Sequence, residues 1–149
     1  MTALMREITI AATPATIYAF AAATERWPEI LPHYRRVRVL AQHGSVRVVE
    51  MIAWRDLIPL AWVVEQTNDP RRPAIRFRHV RGVTRGMDVE WRFVPVPGGT
   101  RLTIEHHLSF ASPLGNVLGE RVVGPFLVDD VVRKTLVRMK AVAEGNVSA

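Results

Sequence analysis

From Gly124 to Glu144 the chain carries one long amphipathic stretch, and whatever lies upstream has to offer a surface that can bury its apolar side. Gly124 and Pro125 make a sharp helix start, because proline suits the first helical position, where its missing N–H would be unpaired anyway. Val128, Val132, Leu136, Met139 and Ala143 then recur at intervals of four and three and draw a single apolar stripe. Asp129 and Asp130 sit near the positive end of the helix dipole, while Arg133, Lys134, Arg138 and Lys140 follow toward the negative end. Asp129 to Arg133 and Asp130 to Lys134 are four apart, the spacing of ion pairs on a helix surface, and Gly145 ends the run. A helix of about twenty residues is ~30 Å long and can cross a whole sheet.

The upstream chain reads as that sheet. Alternation of Ile8 and Ile10 predicts a first strand over Glu7 to Ala11, and Thr13-Pro14 predicts a capped short helix through about Ala23. A second short turn of helix is expected from Arg26 to Leu31, bracketed by Pro28 and Pro32. Strands follow at Tyr34–Gln42, Val46–Arg55, Pro59–Thr67, Ala74–Arg81, Met87–Val94 and Arg101–Phe110. Between them stand turn signals at His43-Gly44-Ser45, Asn68-Asp69-Pro70, Gly82 to Gly86 and Pro97-Gly98-Gly99. Consecutive strands with short connections form an antiparallel meander. The expected class is α+β, a seven-stranded curved sheet around the terminal helix with two short helices after the first strand. Its 149 residues suit one domain. One helix is only ~10 to 12 Å across, which leaves room on the concave side of so wide a sheet for a cavity.

Composition narrows the chemistry. With no cysteine there are no disulfides, thiolate metal sites or cysteine nucleophiles, and together with the lack of an export signal this points to the cytoplasm. No apolar run approaches the length of a membrane span. Eighteen arginines and two lysines against 14 acids give a net charge of +6. The cations are scattered rather than run together, so nucleic acid is not expected as a partner, while peripheral contact with an anionic membrane is compatible.

Strand phase, chosen from the apolar members, sends Val49, Met51, Ala53 and Arg55 inward, followed by Leu60, Trp62, Val64 and Gln66 on the next strand. It sends in Ile75, Phe77 and His79, then Met87, Val89, Trp91 and Phe93, and finally Leu102, Ile104, His106, Leu108 and Phe110. Glu50, Glu65, Asp88, Glu90 and Glu105 all fall outward, so the inner face carries no carboxylate. The polar groups left inside are Arg55, Gln66, His79 and His106. Arg55 keeps its proton wherever it sits and needs a partner such as Asp56, Asp129, water or a ligand oxygen, unless it reaches solvent at the strand end. His106 and His107 are adjacent on a strand, so their rings face opposite ways and cannot share a metal. No metal site and no cofactor are expected. Phosphate-loop, nucleophile-elbow and zinc-protease motifs are missing. An enzyme here would work by positioning, by histidine acid/base help and by an arginine polarising oxygens. Trp54 and Ile52 lie in the opposite phase and suggest a sheet face for a homodimer.

Trp27-Pro28-Glu29-Ile30-Leu31-Pro32-His33-Tyr34 resembles the polyketide cyclase/dehydrase family, a branch of the START-like helix-grip proteins that also includes coenzyme-Q-binding proteins. The likeness extends to Thr13-Pro14, to Val89-Glu90-Trp91 followed by Pro97-Gly98-Gly99-Thr100-Arg101-Leu102, and to the terminal helix, nearly the whole length. It implies a deep hydrophobic cavity for a polyketide, lipid or isoprenoid quinone. By that resemblance Trp27 and Tyr34 would line the mouth, Trp62 and Trp91 the walls, and Arg55 would grip carbonyl or enolate oxygens. Met51, Gln66, Phe77, His79, Met87, Val128 and Val132 complete the expected binding set. Two functions stay open: a cyclase or dehydratase acting on a poly-β-ketone, with His106 moving protons and Arg55 holding the enolate, or a non-catalytic lipid or quinone carrier.

Overall fold

Thr13 begins the first helix as expected: its hydroxyl accepts the Thr16 amide at 3.2 Å and Pro14 occupies the first turn. The computed structural model describes residues 2–82, 84–108 and 128–145, apart from the side chains of Thr2 and Arg55. In order they form β1 (Thr2–Ile10), α1 (Pro14–Ala22), a 3-10 turn (Thr24–Arg26), α2 (Trp27–Ile30) and β2 (Tyr34–His43). Then come β3 (Val46–Arg55), β4 (Ile58–Asp69), β5 (Ala74–Gly82), β6 (Asp88–Val96), β7 (Gly99–Leu108) and α3 (Asp129–Ala143). The expected helix start at Gly124-Pro125 and the inward Phe110 lie outside the described residues.

The seven strands form one antiparallel sheet in the order β1-β7-β6-β5-β4-β3-β2. The meander accounts for β2 through β7, and β1 closes beside β7 with Ile10 opposite Thr100 and Thr2 opposite Leu108. The first strand is longer than the Glu7–Ala11 expectation because pairing with β7, not its own alternation, sets its length. Register shifts at Tyr34/Arg36 and Val39/Ala41 of β2, and at Val63/Val64 of β4, bend the ladder.

The strand phases hold throughout the described residues. Val49, Met51, Ala53, Val64, Ile75, Phe93, Leu102 and Ile104 are all buried, and Glu50, Asp88, Glu90 and Glu105, expected on the outer face, pair there with arginines. Arg38 meets Glu50 at 3.4 Å, Arg76 meets Asp88 at 3.5 Å, and Arg92 reaches Glu90 at 3.1 Å and Glu105 at 3.5 Å. Three of the eighteen arginines, Arg38, Arg76 and Arg92, are thus engaged on the convex face.

Helix α3 lays Val132, Leu136 and Met139 on the concave face, with Val131, Thr135 and Val142 also buried. The stripe is wider than expected and ends on Val142, with Ala143 only partly buried. Arg133 pairs with Asp129 at 3.4 Å and Lys134 with Asp130 at 2.9 Å, as the spacing required. Both ends of the helix are tied to β1 and the turn after it. Arg6 donates to the two carboxylate oxygens of Asp129 at 2.7 and 3.0 Å. At the other end Glu144 accepts the Ala11 amide at 2.7 Å and Lys140 donates to the Thr9 carbonyl at 2.7 Å.

The β6–β7 turn is closely apposed to the end of β1: a Cβ at Gly99 would run into the Ile10 carbonyl, which is backbone and cannot swing aside. Gly99→Ala should therefore lower stability by ~1 to 3 kcal/mol, the range for overpacking, read as a drop in the urea midpoint with unchanged slope.

Candidate functional site

Between α3, α2 and the concave sheet lies a cavity of about 60 Å³ lined by Trp27, Tyr34, Met51, Trp62, Phe77, His79, Met87, Trp91, His106, Val128 and Val132, all expected on it. Leu60, Val64, Thr84, Val89, Ile104, Val131 and Thr135 complete the wall, and no carboxylate is among these residues. Pockets that take drug-sized ligands run to ~300–1,000 Å³. The deep hollow implied by resemblance is therefore narrowed here to a remnant, because the aromatic side chains occupy the space themselves.

Trp27 is the centre of that packing. It stacks on Trp91 at 5.4 Å between ring centroids and meets Tyr34 at 4.8 Å and Phe77 at 5.8 Å. Trp62 continues the cluster to Tyr34 at 6.1 Å and to the His79 ring at 5.7 Å. Trp27 and Tyr34 are thus buried inside rather than placed at a mouth. The physical reason is that the indole N–H is satisfied by the Ala21 carbonyl at the end of α1, 3.2 Å away, which frees the ring to turn inward.

Gln66 does not line the cavity. Its amide is consumed in structure, accepting from Thr24 at 2.8 Å and donating to the Ala22 carbonyl at 3.0 Å and to Asn68 at 2.8 Å. It pins the 3-10 turn to β4, and its strand phase alone did not reveal that. Arg55 is the last residue of β3, opposite Ile58 across the β3–β4 turn. Its side chain lies outside the described part of the structure.

Two polar stations interrupt the apolar wall. At one, His79 Nδ1 bonds the Thr84 hydroxyl at 2.7 Å, with His106 nearby on β7. Burial holds His79 down at about 3, helped by the His106 ring, and His106 at about 4. Both are neutral at physiological pH. His106 Nδ1 is buried without a hydrogen-bond partner. His107, on the opposite face, pairs with Glu105 at 2.6 Å, as strand alternation required.

At the other station, Thr135 donates its hydroxyl proton to the Val131 carbonyl at 2.8 Å. The same hydroxyl lies 2.9 Å from His33 Nε2 and is hydrogen-bonded to the Tyr34 phenol. Burial, then the charge of Lys134, pushes His33 down to about 4, and burial pushes the Tyr34 phenol up. Thr135 and Thr84 were missed in the sequence because threonine breaks an apolar stripe and Thr84 sits in a turn. The spacing of Thr135, three residues after Val132, was the available signal. Among the described residues no group of three or more His, Asp or Glu could hold a metal.

Unfolded, these three histidines take up protons near pH 6.5, whereas folded they resist until about pH 3 to 4. Between those limits the unfolded chain binds more protons, so stability falls as pH drops from 6.5, by up to ~1.4 kcal/mol per pH unit for each ring. Melting temperatures should be level above pH 7 and decline between pH 6.5 and 5, and His106→Gln should remove one ring's share of that slope. A slope unchanged in that variant would refute the assignment.

Against known proteins, the model of the family described as "Polyketide cyclase / dehydrase and lipid transport" matches residues 10–130. The chain is 31% identical over 107 residues to the granaticin polyketide synthase bifunctional cyclase/dehydratase of Streptomyces violaceoruber; the match spans 70% of this chain and only about a third, 33%, of that protein. In fold it is similar to the Zhui aromatase/cyclase from Streptomyces sp. R1128, with a TM-score of 0.82 at 20% identity over 99% of this chain and 96% of that one. It is also similar to a START superfamily protein from Mycobacterium smegmatis, with a TM-score of 0.70 at 19% identity over 97% of this chain and 96% of that one. The helix-grip architecture is shared throughout. The chain belongs to the polyketide cyclase/dehydrase and lipid transport family.

Proposed function

We propose that the chain is a single helix-grip domain that binds an apolar, polycyclic or poly-β-ketone-derived molecule between α3 and the sheet and promotes its aldol cyclisation or dehydration. The observation that carries this reading is the wall itself: aromatic rings and aliphatic side chains, no carboxylate, and hydrogen-bonding groups limited to His79, Thr84, His106, Tyr34, Thr135 and the tryptophan indole N–H groups. Such a wall suits a ligand that is mostly apolar and carries a few carbonyl or hydroxyl oxygens. In cyclisation a base takes a proton from the carbon between two carbonyls, the enolate carbon attacks a second carbonyl, and the alkoxide regains a proton; loss of water then gives the alkene. His106 is assigned to the ligand oxygens and their protons, and Arg55 to the enolate charge.

A carrier role for a lipid or isoprenoid quinone draws on one observation, that His106 at about 4 is a weak base in the closed state. Solvent extraction of purified protein followed by mass spectrometry separates the two: recovered phospholipid or quinone supports carriage. For catalysis, His106→Ala should cut turnover of a poly-β-ketone surrogate by ~10²-fold or more, with binding changed far less. Equal turnover in that variant would remove His106 from the reaction.

Because Trp27 fills the space, ligand entry requires its ring to part from Trp91. Trp27→Ala should bind bulky apolar fluorophores more tightly than the parent while losing ~3 to 5 kcal/mol of stability. Titration by fluorescence alongside urea unfolding reads both effects.

A further inference from the structure

We infer that the β3–β4 turn and the outward side of α3 form a docking surface for anionic lipid bilayers, whichever ligand the cavity takes. Arg55 pairs with Ile58 across a two-residue turn of Asp56 and Leu57. Asp56 has φ 54°, a left-handed conformation that aspartate tolerates better than most residues. At its tip Leu57 is 88% exposed and Ile58 45% exposed. Tips of tight turns are normally glycine, asparagine, aspartate or serine, and an almost wholly exposed leucine there contributes little to this fold.

Behind the tip runs an open groove of about 790 Å³ between β3 and α3, whose lining includes Arg35, Trp54, Arg133, Lys134, Val137 and Arg138. Val137 is 65% exposed on the helix surface, and the Arg35 guanidinium lies 5.7 Å from the centre of the Trp54 ring. Four cations line this groove with two carboxylates, Asp56 and Asp130; Lys134 pairs with Asp130 at 2.9 Å, Arg133 with Asp129 at 3.4 Å, and Arg138 donates to the Ile30 carbonyl at 2.8 Å, which fixes these cations along the groove. The surface is therefore apolar at its tip, aromatic next, and basic around that.

This sequence of chemistries selects the partner. Trp54 pairs with Pro59 one ladder step, ~3 Å, behind the Arg55–Ile58 pair that closes the turn, so the ring sits just behind the tip, within the ~5–10 Å to which amphipathic surfaces sink into the headgroup boundary. Leucine and isoleucine would enter the acyl edge, tryptophan would sit at headgroup level, and the arginines and Lys134 would meet lipid phosphates. An acidic protein would answer the cations but would give a projecting leucine no matching depth of apolar material. The groove also backs on the cavity: His33 lines the groove, and its ring bonds Thr135, which lines the interior, at 2.9 Å. A docked molecule would therefore present the cavity wall to the bilayer.

The full chain, sedimented with vesicles of phosphatidylcholine alone or with a third of phosphatidylserine, tests the assignment. It should bind the anionic vesicles at low salt, bind neutral ones much less, and release as salt screens the charges. Leu57→Asp should weaken binding at least tenfold with an unchanged melting temperature, because Leu57 packs against almost nothing. Arg35→Gln should cost ~fivefold, the effect of one cation at such a surface, and Arg76→Gln on the convex sheet face should cost little. No binding to anionic vesicles, or equal binding by Leu57→Asp, overturns the proposal. Binding to polyglutamate but not to vesicles would overturn it in favour of an acidic protein.

Discussion

The rest of this structure depends on α3 being held across the concave face of the sheet. Its buried side chains, Val132, Leu136 and Met139 among them, supply the attraction, since each fully buried aliphatic side chain stabilises by ~1.5 to 3 kcal/mol relative to exposure. The polar ties at its two ends decide where it lies. Arg6 to Asp129 at one end, and Glu144 to the Ala11 amide with Lys140 to the Thr9 carbonyl at the other, fasten the last helix to the first strand and its turn. Arg6 is 46% exposed, so solvent screens its pair, which acts mainly through geometry. Because β1 lies beside β7, these ties also hold the sheet edge against the helix.

With the helix so held, the space beneath it is contested between the protein's own aromatic rings and any ligand. Trp27, Tyr34, Phe77, Trp62 and Trp91 touch one another in a chain of edge-on and stacked contacts, each of which favours the closed state. Under the proposed function, a bound molecule would have to replace those contacts with its own. The neutral histidines belong to the same logic. Burial keeps His79 and His106 uncharged, so the closed site contains polar atoms without the cost of a buried ion.

Charge is sorted by face. Cations and acids on the convex side pair across strands, as Arg38 with Glu50 and Arg76 with Asp88 do, while the lining of the groove by the β3–β4 turn has more cations than acids beside exposed apolar side chains. A net charge of +6 therefore says little by its total. Its meaning lies in the few places where cations outnumber acids.

Periodicity in the chain was enough to assign the strands, their inward faces and the long helix, because period-two and period-3.6 patterns are imposed locally by the backbone. Hence Met51, Trp62, Phe77, His79, Trp91 and His106 were legible as one inner face before any coordinate. The fate of Gln66 was not, since its partners Thr24 and Ala22 lie more than forty positions away in the chain. Nor was the place of Trp27, whose inward turn depends on a carbonyl left free where α1 ends. The size of the cavity, the Thr135 station and the seating of β1 beside β7 are likewise sums over distant contacts. Local pattern determined which side of each element is apolar; only the tertiary structure decided how tightly those sides close on one another, because packing depends on shapes that meet from remote parts of the chain.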